Sequence, residues 1–238
     1  MAVTRLDSDE RRKAIVRAAV PLFARKGFAG TTTRELAEAA GISEALLFRH
    51  FPSKKLLYRE ILRLGCEGDP AFERLTALRP STDALVCMVR FMVRRFLLGD
   101  DIERGELDSR LRLVLHSFLE DGEYARELFA TVGNAVVPLF AASLRAAVAT
   151  GDVTPHLAAM PATADGDGAA NRFWFAQHVA AMMAFAALPG PSCVPYEGTI
   201  DDIVTAASRF VLRGIGMTDA AIAAGEMAGA AALPSAAD

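Results

Sequence analysis

The chain has 238 residues, 52% of them hydrophobic and 23% charged, with a net charge of −3 and a pI near 5.9. This composition excludes a disordered chain and suffices for one large or two modest domains. The acidic average argues against a nucleic-acid partner, but the average misleads. Residues 1–55 hold eleven of the 26 lysines and arginines and six of the 29 acids, so they carry about +5 and the remainder about −8; all lysines precede residue 56. A basic front on an acidic body is the charge distribution of a DNA-binding head joined to a region that DNA does not attract.

The first helix is expected from Asp7, which with Glu10 can cap it, through an inner stripe of Ile15, Ala19, Leu22 and Phe23. Arg25 and Lys26 suit the last turn of that helix, and Gly27 ends it with Phe28 packing back. Thr32 and Glu35 then form a capping box for a second helix carrying Leu36, Ala37 and Ala40 inward. Gly41 falls at a sharp turn, Ile42 plugs the corner and Ser43 caps a third helix. In that helix Leu47 and Phe51 point inward, leaving Glu44, Ala45, Leu46 and Arg49 outward. Pro52 ends it, and Ser53 caps a fourth helix with Leu56, Leu57, Ile61 and Leu62, running out near Gly65. A small residue at Ala37, four before Gly41, lets two helices cross closely. The alternative is an ordinary helical hairpin; the register of cap, small residue, glycine, plug and second cap favours a DNA-binding helix-turn-helix.

These residues carry a resemblance. The run AIVRAAVPLFARKGFAGTTTRELAEAAGIS followed by EALLFRHFPSKKLLYREIL, within Arg11 to Leu62, resembles the DNA-binding domain of the TetR family of transcriptional regulators. The resemblance covers the first quarter of the chain. It implies that Ser43, Glu44, Ala45, Leu46 and Arg49 lie at the reading helix, with Arg49 able to pair with guanine and Leu46 to meet a thymine methyl. It implies backbone contacts from Thr31, Thr33, Phe48, His50 and Lys54. Position 48 departs from the family's usual Tyr, and Phe lacks the hydroxyl that would meet a phosphate. For Phe48 the alternative is packing, for His50 a bond to a helix-terminal carbonyl, and Arg34 is equally well read as solvated.

Beyond the head the apolar residues recur at three and four, with no strand pattern. A stripe runs from Leu85 through Met88, Phe91, Met92, Phe96 and Leu97, then a charged connection at Asp100–Glu106, then Leu111–Leu119. A long helix follows from about Glu123 to Thr150, kinked at Pro138. Gly151–Ala169 reads as a loop, helices resume at Asn171–Leu188 and Thr199–Gly214, and the Ala-rich tail is a frayed helix or disordered. The fold class is therefore all-α: a helix-turn-helix domain over 1–55, a larger helical effector-binding and dimerisation domain over 56–216, and a tail over 217–238.

Two heads are needed for useful affinity, so a homodimer on a palindromic double-stranded operator is expected. Its interface is expected at Ala176, Ala180, Ala181, Ala184 and Ala186 with Leu139, Phe140, Leu144 and Val148, unless both stripes are internal core. An apolar or aromatic small-molecule effector is expected against Met88, Phe91, Met92, Phe96, Leu115, Phe118, Trp174, Phe175 and Met182. His116 and His178 would orient it, although such stripes are more often core. The expected activity is a ligand-responsive regulator, a repressor; the alternative is a helical ligand-binding or interaction protein whose helix-turn-helix lacks specific DNA binding. No catalytic motif of the common hydrolase, nucleotide or zinc classes is present, so no enzyme, cofactor or metal is expected. Cys66, Cys87 and Cys193 are spaced as reduced, buried thiols. With no apolar leader at the N-terminus and Phe173–Leu188 short for a membrane span, a soluble cytoplasmic protein without membrane contact is expected.

Overall fold

The structure, a computed structural model, describes residues 7–66, 70–99, 104–154 and 168–232. The described residues form helices α1 (Ser8–Lys26), α2 (Thr33–Ala39), α3 (Glu44–His50), α4 (Lys54–Cys66), α5 (Pro70–Thr76), α6 (Thr82–Leu98), α7 (Arg104–Leu119), α8 (Glu123–Ala149), α9 (Ala169–Ala187), α10 (Ile200–Ile215) and α11 (Asp219–Ala232). Among them no strand forms, and one isolated bridge joins Val153 to Met217. The chain is all-α.

Packing divides it into two compact units, and the division is not a simple cut along the sequence. One unit comprises residues 1–69 and 105–131, the other 70–104 and 132–238, so α8 contributes to both. In the first unit α1 packs on α2 and α4, and α2 on α3. The caps expected from the sequence form. The Asp7 carboxylate accepts from the Glu10 amide at 2.8 Å, and the Thr32–Glu35 box closes in both directions. Ser43 Oγ accepts from the Leu46 amide and Ser53 Oγ from the Leu56 amide, each at 3.2 Å. Ile15, Ala19, Phe23, Leu36, Ala37, Leu47, Phe51, Leu57 and Ile61 are buried, whereas Leu22 is only half-buried and Leu56 exposed. Tyr58 closes this core edge-on to Phe23 and against Phe28 and Tyr124.

The second unit is built round α6, against which α9, α10 and α11 pack. A helix enclosed on several sides must be apolar over most of its circumference, and Ala84–Val89 of α6 form an unbroken buried run. Residues 219–232 of the C-terminal tail form a helix, which corrects the expectation of a frayed or disordered segment there, and residues 233–238 lie outside the described residues. α11 docks on α6 so closely that a Cβ at Gly225 would come within 2.7 Å of Val86, and Ala221 and Ile222 join the core. Its Ala and Gly content is what allows that approach. Helix α8 runs on through Pro138, and α5, absent from the sequence expectation, begins at Pro70, where a missing N–H costs nothing.

Two further expectations change. Cys193 is exposed in the segment 189–199, and only Cys87 is a described buried thiol, its pKa pushed up by burial. Of the expected loop at Gly151–Ala169, residues 155–167 lie outside the described residues, as do 100–103 of the charged connection. The described helix long and apolar enough to cross a membrane is α8 rather than Phe173–Leu188; its Val136, Phe140, Leu144 and Ala147 face the protein core instead.

Candidate nucleic-acid interface

Helix α3 is short, so what positions it is not its own ladder but its two ends and two buried anchors. Ser43 caps the start, and Gly41 makes the preceding turn at φ +64°. Leu47 and Phe51, 2% and 1% exposed, pin the inner side. At the far end Arg12 of α1 donates to the His50 carbonyl at 2.7 Å and to Glu60 of α4 at 3.1 Å, with its guanidinium 4.1 Å from the Phe51 ring centroid. One side chain thus ties three helices together behind α3. Sequence reasoning missed Arg12; its signal was a basic residue on the inner half of a helix otherwise lined by apolar groups.

With the back fixed, Glu44, Ala45 and Arg49 are exposed, Phe48 is 43% exposed, and Leu46 and His50 are half-buried. Arg49 makes no hydrogen bond or ion pair with any described residue, so its guanidinium is available to a base or phosphate. Glu44 accepts from the Thr33 hydroxyl at 2.8 Å.

The positions expected to grip phosphates divide differently. Thr31 is 1% exposed and its hydroxyl donates to the Gly27 carbonyl at 2.8 Å, so it cannot present that group to DNA. Lys54 Nζ donates to the carbonyls of Phe28 and Thr31 at 2.7 and 2.8 Å and sits 4.3 Å from the Phe28 ring centroid. Both residues build the turn between α1 and α2 rather than the outer face, because that turn carries carbonyls that would otherwise be unmet. Thr33 has its one proton on Glu44. Glu35 anchors the same turn: beside Lys26 and bonded by Thr32, its carboxyl is held down at about 2.

The residues expected to line one effector site are divided between the two units. His116 and Phe118 belong to the unit of the head; a Cβ at Gly27 would stand 3.1 Å from His116 Nδ1, and Phe118 is exposed, stacked on Phe129. Met88 and Phe91 are core residues of the other unit, with Met92 packed against them. Phe96 packs beside Val93 and Leu97, and Trp174 lies edge-on to Phe173 and against Gly133. Phe175, His178 and Met182 are exposed on the outer face of α9. The alanines of α9 expected at a dimer interface (Ala176, Ala180, Ala181 and Ala184) are instead buried, as are Phe140 and Leu144. Helical spacing identified the stripes, but it cannot distinguish a neighbour within the chain from one outside it.

Comparison with known proteins places this arrangement. The sequence pattern of bacterial regulatory proteins of the tetR family matches residues 15–61. The transcriptional regulator RutR of Escherichia coli K12 is 45% identical over 53 residues, 22% of this chain and 25% of its own. The transcriptional repressor KstR2 of Rhodococcus jostii is 45% identical over 53 residues, 22% of this chain and 26% of its own. The chain therefore spans about a quarter of the length of these curated relatives. The fold likeness extends further: AibR, solved with isovaleryl coenzyme A and operator DNA, superposes with a TM-score of 0.59 over 88% of this chain and 100% of its own, at 16% identity. RutR and KstR2 are named as a transcriptional regulator and a transcriptional repressor. Cap, glycine turn and anchored reading helix lead to one assignment: residues 15–61 match the DNA-binding domain of the tetR family of bacterial regulatory proteins.

Proposed function

We propose that the protein is a ligand-responsive transcriptional repressor that binds a palindromic double-stranded DNA operator as a homodimer and is released by a small apolar or aromatic effector. The observation that carries the reading is the outer face of α3. Glu44, Ala45, Phe48 and Arg49 are presented to solvent while Leu47, Phe51 and Arg12 hold the backbone from behind. An unpaired arginine on a rigid, groove-sized helix is suited to bidentate pairing with guanine. Phosphate contacts fall to His50 and backbone amides, since Thr31, Thr33 and Lys54 are engaged internally and Phe48 can only pack against the duplex.

For dimerisation the outward side chains of the second unit support a revised interface. Phe175 and Met182 on α9 are 58% and 66% exposed, and Phe210 on α10 is 70% exposed, flanked by Ala206 and Gly214 on the same face. Large apolar groups left out on two helices are expected where a second copy covers them. For the effector, Met92, Phe96 and Trp174 are half-buried, and two buried polar atoms of the same unit, Ser143 Oγ and Gln177 Oε1, have no hydrogen-bond partner. Unmet buried polar groups of that kind are what an orienting ligand would satisfy.

A nuclease footprint on the DNA upstream of the protein's own gene tests the reading. Protection of a palindrome, relieved by effector, is the expected result. Arg49→Ala should weaken specific binding by roughly ten- to a hundredfold, with its loss confined to one base position per half-site. The departure at Phe48 favours a second reading, a helical ligand-binding protein without a specific operator. Uniform, salt-sensitive DNA binding with no protected palindrome would establish that alternative instead.

A further inference from the structure

The first side chain of α3 is an acid, an unexpected group to aim at a polyanion. Its environment gives it a defined place. Glu44 Oε2 accepts from the Thr33 hydroxyl of α2 at 2.8 Å, while Oε1 accepts from no described residue. The neighbouring Arg34 is drawn to Glu38 at 2.9 Å and does not neutralise Glu44 by a direct bond. The bond to Thr33 spans the two helices of the motif, so it fixes a flexible three-torsion side chain before any DNA arrives. Ordering a side chain in advance removes a cost that binding would otherwise meet.

An ionised carboxylate offers only acceptors. In the major groove guanine presents N7 and O6, both acceptors, and thymine presents O4 and a methyl; each disfavours it. Adenine offers its N6 amino group, but with the acceptor N7 alongside. Cytosine presents N4 as a lone donor, the one edge that a carboxylate can meet without an opposing acceptor. We propose that Glu44 reads a cytosine through its free Oε1 and that Thr33 is the positioning residue that holds the carboxylate in place. This deepens, and rests on, the reading of the chain as a sequence-specific DNA-binding protein. It also gives Thr33 a role other than gripping phosphate.

The test is selection of binding sites from a randomised duplex pool by full-length protein at fixed salt, for wild type, Glu44→Ala, Glu44→Gln, Thr33→Val and Thr33→Ser, each checked for native helicity. Wild type should prefer cytosine at one position of each half-site by roughly five- to a hundredfold. Glu44→Ala should lose that preference alone, and Glu44→Gln should shift it to adenine, whose N6 and N7 an amide can pair together. Thr33→Val, the same shape without the hydroxyl, should reduce the cytosine preference several-fold, and Thr33→Ser should keep it. Unchanged base weights in Glu44→Ala would overturn the assignment of Glu44, and unchanged weights in Thr33→Val would overturn the role of Thr33. Should wild type enrich no sequence at all, the DNA-reading function itself fails, a result distinct from either.

Discussion

At the scale of single residues, the turn between α1 and α2 separates groups that hold the head from groups that face outward. Thr31 looks like a phosphate contact from its position in the motif, yet its hydroxyl is sealed against the Gly27 carbonyl. Thr31→Val should therefore cost about 1 kcal/mol of stability, the typical worth of one buried hydrogen bond. DNA affinity, corrected for the folded fraction, should stay unchanged; chemical denaturation alongside gel shift separates the two. Glu35 supplies a pH signature. Its carboxyl, bonded to Lys26 and to the backbone and hydroxyl of Thr32, is lowered from 4.5 to about 2. A depressed folded-state pKa means that this stabilisation is full above the unfolded value, near 4.5, and is lost as pH falls through about 2. Thermal unfolding followed between pH 6 and pH 2 should thus show a steeper loss for wild type than for Glu35→Gln. Parallel curves would show that the Lys26–Glu35–Thr32 cluster adds nothing.

At the scale of elements, the reading helix depends on its neighbours more than on itself. A seven-residue helix is not stable alone, so its caps, Gly41 and the Arg12 tie decide its existence. Gly41 sits at φ +64° with open space where a Cβ would go. Gly41→Ala meets no clash; the cost is conformational, about 1–2 kcal/mol for a left-handed L-residue. The expected outcome is a lower unfolding midpoint together with weaker operator binding, because the strain falls on the elbow that sets the angle of α3. These elements were legible in the sequence because caps, glycine turns and apolar spacing are local signals. The internal ties of Arg12 and Lys54 were not legible, because the carbonyls and rings that they engage lie 23 or more residues away along the chain.

At the scale of the whole molecule, the exposed apolar side chains of α9 and α10 are the feature that a lone chain leaves unexplained. Phe210→Glu should convert the proposed dimer to a monomer at micromolar concentration by light scattering, with operator affinity falling steeply because two linked heads become one. A dimer that persists would move the interface elsewhere. By itself the sequence determined the all-α class, the caps, the turn and the inward stripes of the head, since each is written within about ten neighbouring residues. It also determined the separation of charge between head and body. Only the tertiary structure decided that the alanines of α9 face inward, that α11 docks on α6 through Gly225, and that Thr31 and Lys54 are spent on the turn. The reason is physical: periodicity marks a face as apolar or polar, but which surface covers that face is settled by contacts between segments far apart in the chain.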